Sequence, residues 1–200
     1  MGSGATTRKK ILEAAYRLFY RDGFARVGVE EIAAAAGVTK RTLYYHFSSK
    51  DELLGAVLDL QHELSLARIR SWSGPEAAEP RAMVTQLFEA LGDWMAEPGW
   101  QGSGFTRAAL ELAGLPGHPA RTAARVHKAA VENWLAESLA RGGLADAEET
   151  ARQVMLLIEG CQVMTLMRGD PAYAEAARAA ALELVGDGTA PVTRPGAGPT

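Results

Sequence analysis

Cysteine, long apolar runs and strand-like patterns are all scarce in this sequence. Cys161 is the only cysteine, so no internal disulfide can form, and its apolar neighbours predict an ordinary buried thiol. No run of 18 or more apolar residues occurs, and the N-terminal cations are not followed by an apolar segment. We therefore expect neither a membrane span nor a secretory signal, and we predict a cytoplasmic protein.

Sequence signatures of catalysis and of metal binding are missing as well. The four histidines are not spaced as a metal-ligand cluster, and the cysteine has no evident catalytic partner. No nucleophile elbow, P-loop or dinucleotide-binding fingerprint appears. We therefore predict that the chain is not an enzyme and uses no cofactor and no metal, although an enzyme stays the competing class.

The charge that is present is distributed unevenly. The formal net charge is −3, yet residues 1–60 hold nine Lys and Arg against seven Asp and Glu. The remainder holds twelve cationic residues against seventeen acidic ones. A basic end on an acidic body predicts that only this end meets a polyanion.

Apolar residues recur at helical spacing almost throughout, and no stretch alternates with period two, so the chain is predicted to be all-α with about nine helices. The clearest break in helical character is Ser71–Pro80, and the tail at 186–200 is predicted to be disordered because it offers almost nothing to bury. The predicted helices span roughly 7–22, 28–36, 40–47, 49–70, 81–96, 104–114, 119–141, 146–168 and 171–185.

One segment, "GVTKRTLYYHFSSKDEL" at 37–53, concentrates cations and aromatic rings. Thr39 is a candidate N-cap, and helical spacing places Leu43 and Phe47 on the core side of a short helix. The remaining side chains then point outwards, where long cations, hydroxyls and flat rings suit the major groove of DNA. They are Lys40, Arg41, Thr42, Tyr44, Tyr45 and His46. The capping box of Ser49 and Glu52 starts the next helix, which brings Lys50 towards a backbone phosphate.

The strings "AAYRLFYRDGF" and "EEIAAAAGVTKRTLYYHFSSKDELL", with their spacing, resemble the N-terminal helix-turn-helix domain of the TetR family of bacterial regulators. The resemblance implies that Lys40, Arg41, Thr42 and Tyr44 approach base edges, whereas Tyr45, His46 and Lys50 hold phosphates. It also implies nucleoid association. The chain departs from the family pattern at Val27 and Gly28, where many relatives carry hydroxyl side chains, so a phosphate contact from that position is in doubt.

Other charged residues of the basic end leave alternatives open. Arg8, Lys9 and Lys10 either contact phosphate or form a solvated arm. Glu30 and Glu31 would repel phosphate, so we expect them to point away from DNA or to pair with basic neighbours such as Arg26.

The second part of the chain resembles the ligand-binding and dimerisation half of such regulators more loosely. We place the DNA-binding domain at 1–52 and the second domain at 53–185. Val154–Met167 is mostly apolar all round, which predicts a homodimer in which helices 146–168 and 171–185 pair with their symmetry mates. Two recognition helices related by a two-fold axis would read a palindromic operator in double-stranded DNA, with half-sites ~34 Å apart.

A small-molecule inducer of unknown identity is predicted to bind among the middle helices. Taken singly, each candidate side chain fits plain core packing as well; together they offer aromatic, flexible apolar and a few polar groups. The candidates are Phe88, Trp94, Met95, Phe105, His127, Trp134, Met155, Glu159, Gln162 and Met164. The leading hypothesis is a repressor released from its operator by an apolar or amphipathic ligand; control by a partner protein, or by nothing, is the alternative.

Overall fold

The structure, a computed structural model, describes residues 3–74 and 79–186, and within them the chain forms nine helices and no strand. The predicted tail at 186–200, apart from Gly186, and part of the predicted break, at 75–78, lie outside these residues. The helices are α1 Ser3–Asp22, α2 Val29–Ala36, α3 Lys40–His46, α4 Lys50–Trp72, α5 Pro80–Met95, α6 Gly104–Glu111, α7 Pro119–Arg141, α8 Ala147–Arg168 and α9 Ala172–Val185. The all-α prediction is confirmed for this part of the chain.

The helix ends follow local backbone chemistry. Gly23 and Gly37 close α1 and α2 in the left-handed region, with φ of 86° and 67°, which favours glycine because it has no Cβ. Pro80 and Pro119 begin α5 and α7, where the missing N–H costs no helical hydrogen bond. Two predicted helix ends were wrong: α1 begins at Ser3 rather than at residue 7, and α6 ends at Glu111 rather than at residue 114, because a turn begins at Leu112.

Two groups of buried side chains form the core. The first joins α1, α2, α3 and the start of α4 to α6 and the beginning of α7, through residues such as Phe105 and Ala124. The second joins the end of α4 to α5, α7, α8 and α9. Leu53, Leu54 and Val57, just beyond the predicted limit of the first domain at 52, pack with the first group. The head, as we call α1 to α3 with their loops, therefore rests directly on α4, α6 and α7.

Candidate nucleic-acid interface and ligand cavity

A tight turn connects α2 to α3. The N–H of Gly37 donates to the Ala34 carbonyl at 3.1 Å and that of Val38 to the Ala33 carbonyl at 2.9 Å, which closes α2. Thr39 then caps α3, because its Oγ1 accepts from the Thr42 N–H at 3.1 Å. This is a helix-turn-helix, and α3 is its second helix.

Helix α3 has one buried and one solvent-facing side, as predicted. Leu43 is fully buried and Phe47, just after the helix, is 1% exposed. Tyr45 is 84% and Tyr44 43% exposed. The remaining predicted DNA-facing residues are exposed at Lys40 and Arg41 and half-buried at Thr42, His46 and Lys50.

Lys40 is not a free cation. Its Nζ pairs with the Glu30 carboxylate of α2, and this partner raises the pKa of Lys40 while Lys40 lowers the pKa of Glu30. Glu31 lies 3.8 Å from the Arg21 guanidinium. Both acids thus pair with basic neighbours, but with these two rather than with Arg26, and one partner belongs to the candidate base-reading set.

Lys50 is held by the head itself. Its Nζ donates to the carbonyls of Phe24 at 2.9 Å and Val27 at 3.2 Å, and lies 4.3 Å from the centre of the Phe24 ring. Its ammonium therefore fastens the α1–α2 loop to the start of α4. The predicted capping box forms in part: Ser49 Oγ accepts from the Glu52 N–H at 3.0 Å, but the Glu52 carboxylate accepts from the N–H of Ser48 rather than that of Ser49.

Of the N-terminal cations, Arg8 lies over the ring of Phe47, the core residue that follows α3. Its guanidinium carbon lies 4.9 Å from the centre of the Phe47 ring. Lys9 lies 3.8 Å from Glu13 in an exposed pair one helical turn apart.

A cavity of about 120 Å³ lies between the head and the helices behind it. Its walls come from α1, α4, α5, α6, α7 and α8. Six of the predicted ligand-binding residues line it: Trp94, Phe105, His127, Met155, Glu159 and Gln162. Phe88, Met95 and Trp134 are buried in the second core group and Met164 is half-buried, all four outside the cavity wall.

Sequence reasoning missed the contribution of the head to this cavity. Tyr16 and Tyr20 of α1 line it, with ring centres 5.9 Å apart, as do Arg68 and Trp72 of α4. Burial raises the pKa of the Tyr16 phenol. The available signal was that both tyrosines lie off the apolar stripe of α1 at adjacent turns, which left two large rings without an assigned packing partner.

A polar network crosses the cavity wall from α6 to α8. Lys128 donates to Glu159 Oε1 at 2.5 Å and to Ser103 Oγ at 3.2 Å, and Thr106 Oγ1 donates to Glu159 Oε2 at 2.6 Å. The same wall, with Phe105, borders a more open groove of about 730 Å³ on its other side. Both carboxylate oxygens of Glu159 therefore already accept a hydrogen bond.

His127 joins α7 to α4 and α6. Its ring stacks on Phe105 with centres 3.8 Å apart, and its Nδ1 lies 3.2 Å from His62 Nδ1. Burial, then the charges of Lys128 and of His62, lower the pKa of His127 to about 3. The imidazole is therefore neutral at physiological pH and presents an aromatic face to the cavity.

Helix α6 is bonded to the backbone of the head. Glu111 accepts from the N–H groups of Phe24 at 3.0 Å and Ala25 at 2.6 Å, and Arg107 donates to the Tyr20 carbonyl at 2.6 Å. The Tyr20 hydroxyl in turn donates to the Gly102 carbonyl at 3.2 Å. These contacts connect the end of α1 to the segment that carries the cavity residue Phe105.

One face of α8 and α9 carries exposed short or apolar side chains. Leu156 is 69% and Met167 73% exposed, and Val163 lies between them on the same face of α8. One chain alone therefore leaves an apolar face of α8 uncovered, as expected if a second copy is to cover it. Cys161, on the opposite face, is a buried thiol as predicted, and burial raises its pKa to about 12.

The described residues were also compared with the requirements of a metal site and of a membrane span. Within 3–74 and 79–186 no group of three His, Cys, Asp or Glu side chains could hold a metal ion. In the same ranges no helix is both long and apolar enough to cross a membrane.

Known proteins are similar to this chain in the sequence of its N-terminal part and in its whole fold. Residues 11–57 match the family described as bacterial regulatory proteins, tetR family. The chain is 39% identical over 89 residues to the HTH-type transcriptional regulator TtgR of Pseudomonas putida, a match that covers 42% of each protein. It spans less than half the length of such curated relatives; AcrR of Shigella flexneri is 33% identical over 41% of its length and 42% of this chain.

Solved structures match over nearly the whole chain. A protein described as a TetR-type transcriptional regulator from Streptomyces avermitilis is 32% identical with a TM-score of 0.75, covering 88% of this chain and 97% of that one. A TetR-family regulator from Streptomyces coelicolor is 28% identical with a TM-score of 0.80, covering 90% and 95%. These relatives are regulators of transcription rather than enzymes.

Proposed function

Because the chain belongs to the TetR family of bacterial transcriptional regulators, we propose that it is a repressor that binds a palindromic operator as a homodimer and leaves it when a small molecule binds. The observation that carries the proposal is the outward surface of α3, where Lys40, Arg41, Tyr44 and Tyr45 are all exposed on a helix fixed by a buried Leu43. Such a surface has the size and chemistry of a major-groove reader.

Within this surface, the residues have different tasks. Lys40, Arg41, Thr42 and Tyr44 approach base edges, and Tyr45 and His46 hold phosphates. Lys40 must exchange Glu30 for a base or a phosphate on binding, since it is paired in the free protein. Lys50 supports the α1–α2 loop through two carbonyls, and its charge still adds to the positive potential beside the DNA.

The dimer is built on α8 and α9. The exposed Leu156, Val163 and Met167 of α8 lie beside a stripe of small exposed side chains on α9, at Ala172, Ala176 and Ala179. Pairing with a second copy removes this apolar face from water in a four-helix interface. The two-fold axis then spaces two α3 helices for two operator half-sites.

The cavity is the site of the inducer, and it is well placed to control the head. Tyr16 and Tyr20 of α1 share its wall with Phe105 of α6, so a ligand touches both the head and the second domain. A ligand shifts the equilibrium only if it binds one arrangement of head and body more tightly than the other. The cavity favours this function over a regulator controlled by a partner protein alone.

In this proposal residues 1–52 read DNA and 53–185 bind ligand and dimerise, with α4 as the joint between them. The protein acts in the cytoplasm at the nucleoid, with double-stranded DNA, a second copy of itself and the inducer as its partners.

The test is operator binding by the full chain. Fluorescence anisotropy with DNA from the promoter region of its own gene should show saturable, sequence-specific binding that weakens as salt rises. Tyr44→Ala should weaken the specific complex, whereas Leu115→Ala, at an exposed residue between α6 and α7, should not. Equal affinity for the promoter fragment and for shuffled DNA would refute the proposed function.

A further inference from the structure

One residue of the cavity lining has a buried acceptor without a donor. Gln162 is 6% exposed and lines the cavity. Its Nε2 donates to the Ile158 carbonyl at 3.1 Å, which fixes the amide orientation, because a carbonyl oxygen can accept only from the NH₂ end. Gln162 Oε1 has no hydrogen-bond partner within the described ranges. A buried carbonyl oxygen of this kind favours a ligand that brings a donor.

Of the three cations in the same lining, one has a guanidinium with neither a hydrogen bond nor an ion pair in the described part of the chain. Arg68 is exposed, lies over the Trp94 ring with its guanidinium carbon 5.8 Å from the ring centre, and has no ion pair in the described part of the chain. The other two cations of the lining are occupied, Arg107 by the Tyr20 carbonyl and Lys128 by Glu159. The lining therefore offers a free guanidinium at its solvent-facing side.

The space between these groups is bounded by flat rings. Tyr16, Tyr20, Trp72, Trp94 and Phe105 all line it. An apolar cavity of ~150 Å³ holds one benzene, so about 120 Å³ admits no more than a single small ring, and a carboxylate on that ring has to extend to the solvent-facing side of the cavity. Aromatic walls favour a planar ligand through stacked or edge-to-face contacts.

From these three features we propose that the inducer is a small aromatic carboxylic acid that carries a hydroxyl or amino group. The hydroxyl or amine donates to Gln162 Oε1, the carboxylate faces Arg68, and the ring packs among the aromatic walls. This identification rests on the proposed function, whose inducer it specifies.

Other ligand classes fit this lining less well. A cationic ligand needs a free carboxylate, but Glu159 accepts from Lys128 and Thr106, and Glu111 accepts from two backbone N–H groups. Breaking the Glu159 arrangement leaves two part-buried donors unpaired, and breaking the Glu111 arrangement takes the acceptor from the part-buried Phe24 N–H. A purely apolar ligand leaves Gln162 Oε1 unsatisfied.

The experiment measures binding of a matched set of ligands to the full-length protein by calorimetry and by the fluorescence of Trp72 and Trp94. The set contains 2-, 3- and 4-hydroxybenzoate, 4-aminobenzoate and 4-hydroxycinnamate. Each is compared with its parent acid that lacks the donor and with its methyl ester. Ethidium serves as the planar cation.

Substitutions at two positions assign the contacts. Gln162→Leu removes the acceptor, and Gln162→Met does so with a more adaptable side chain in case leucine disturbs packing. Arg68→Gln removes the guanidinium. Gln153→Leu on α8 and Arg70→Gln on α4 are the matched controls, since neither residue lines the cavity.

At least one of the hydroxyl- or amino-substituted aromatic acids should bind about three to ten times more tightly than its unsubstituted parent acid. This is the range expected for a single neutral hydrogen bond. Gln162→Leu and Gln162→Met should abolish that preference and leave the parent acid unaffected. Arg68→Gln should abolish a roughly two- to fivefold preference for acid over ester, which should also shrink in high salt. The two controls should keep both preferences.

The inference fails if no acid in the set binds, if parent and hydroxylated acids bind equally, or if only ethidium binds. Operator binding in the absence of ligand is measured on the same preparations. Intact operator binding with any of these failures overturns the ligand class alone, whereas loss of operator binding overturns the proposed function.

Discussion

The clamp between Glu111 and the head gives the sharpest structural prediction. The carboxylate accepts from the N–H groups of Phe24 and Ala25, just after α1 turns at Gly23. Hydrogen bonds to a charged group contribute ~1.5–3 kcal/mol each, but Glu111 is exposed and water can replace part of each bond. We therefore expect Glu111→Ala to reduce the local stability of this loop by about 1–2 kcal/mol.

Hydrogen exchange followed by NMR measures this directly. A loss of that size should raise the exchange rates of the Phe24 and Ala25 amides by ~5–30-fold, while core amides such as that of Leu43 change little. Glu137→Ala, an exposed acid on α7, is the matched control and should leave both rates unchanged. Unaltered exchange at Phe24 and Ala25 in the Glu111 variant would refute the clamp and, with it, the role of α6 in holding the head.

Three further predictions address the DNA surface, the cavity and the dimer. Glu30→Gln should free Lys40 and strengthen operator binding. The slope of log affinity against log salt concentration should become steeper by up to ~0.9, as for one added phosphate contact. An unchanged slope in salt titrations would contradict this. The pKa of His127 lies near 3 in the folded protein and near 6.5 in the unfolded chain. As the pH falls, the unfolded chain therefore takes up the proton first. The free energy of unfolding should decrease between pH 6.5 and pH 3, by up to ~1.4 kcal/mol per pH unit. His127→Phe should remove that part of the pH dependence in urea unfolding at pH 7 and pH 5, and an identical slope in both proteins would count against the assignment. Leu156→Glu should convert the dimer to monomer in analytical ultracentrifugation, whereas Leu110→Glu, equally exposed on α6, should not; a dimer that survives the first change would place the interface elsewhere.

The helices and the recognition surface could be predicted because their determinants are local. Thr39 caps the helix that follows it, Gly37 ends the one before, and the spacing of Leu43 and Phe47 decides which side of α3 faces the core. A sequence pattern contains all of this information, since capping and periodicity act within one or two turns.

The ligand cavity could be predicted only in part, for an equally physical reason. Periodicity indicates that Phe88 and Trp134 face inwards, but not whether the space beside them is filled, and both lie in packed core outside the cavity. Tyr20 enters the wall because Arg107 and the Gly102 carbonyl, over 80 positions away, fix the end of α1 there. Local spacing shows that the Tyr20 ring lies off the apolar stripe of α1, but not which distant residues it meets.

The partner of each charged side chain could likewise not be predicted from the sequence pattern. The sequence suggested that Glu30 would pair with a basic neighbour, yet Lys40 and Arg26 are equally plausible partners by charge alone. The turn at Gly37 sets the angle between α2 and α3, and that angle brings Lys40 to Glu30.

The most direct test of the account is the affinity of the full chain for DNA from its own promoter region, measured by fluorescence anisotropy against a shuffled sequence at several salt concentrations. The account predicts specific, salt-sensitive binding of a dimer that Tyr44→Ala weakens. Binding that does not distinguish the two sequences, or that is unaffected by Tyr44→Ala and Arg41→Ala together, would contradict the assignment of α3 as the DNA-reading helix.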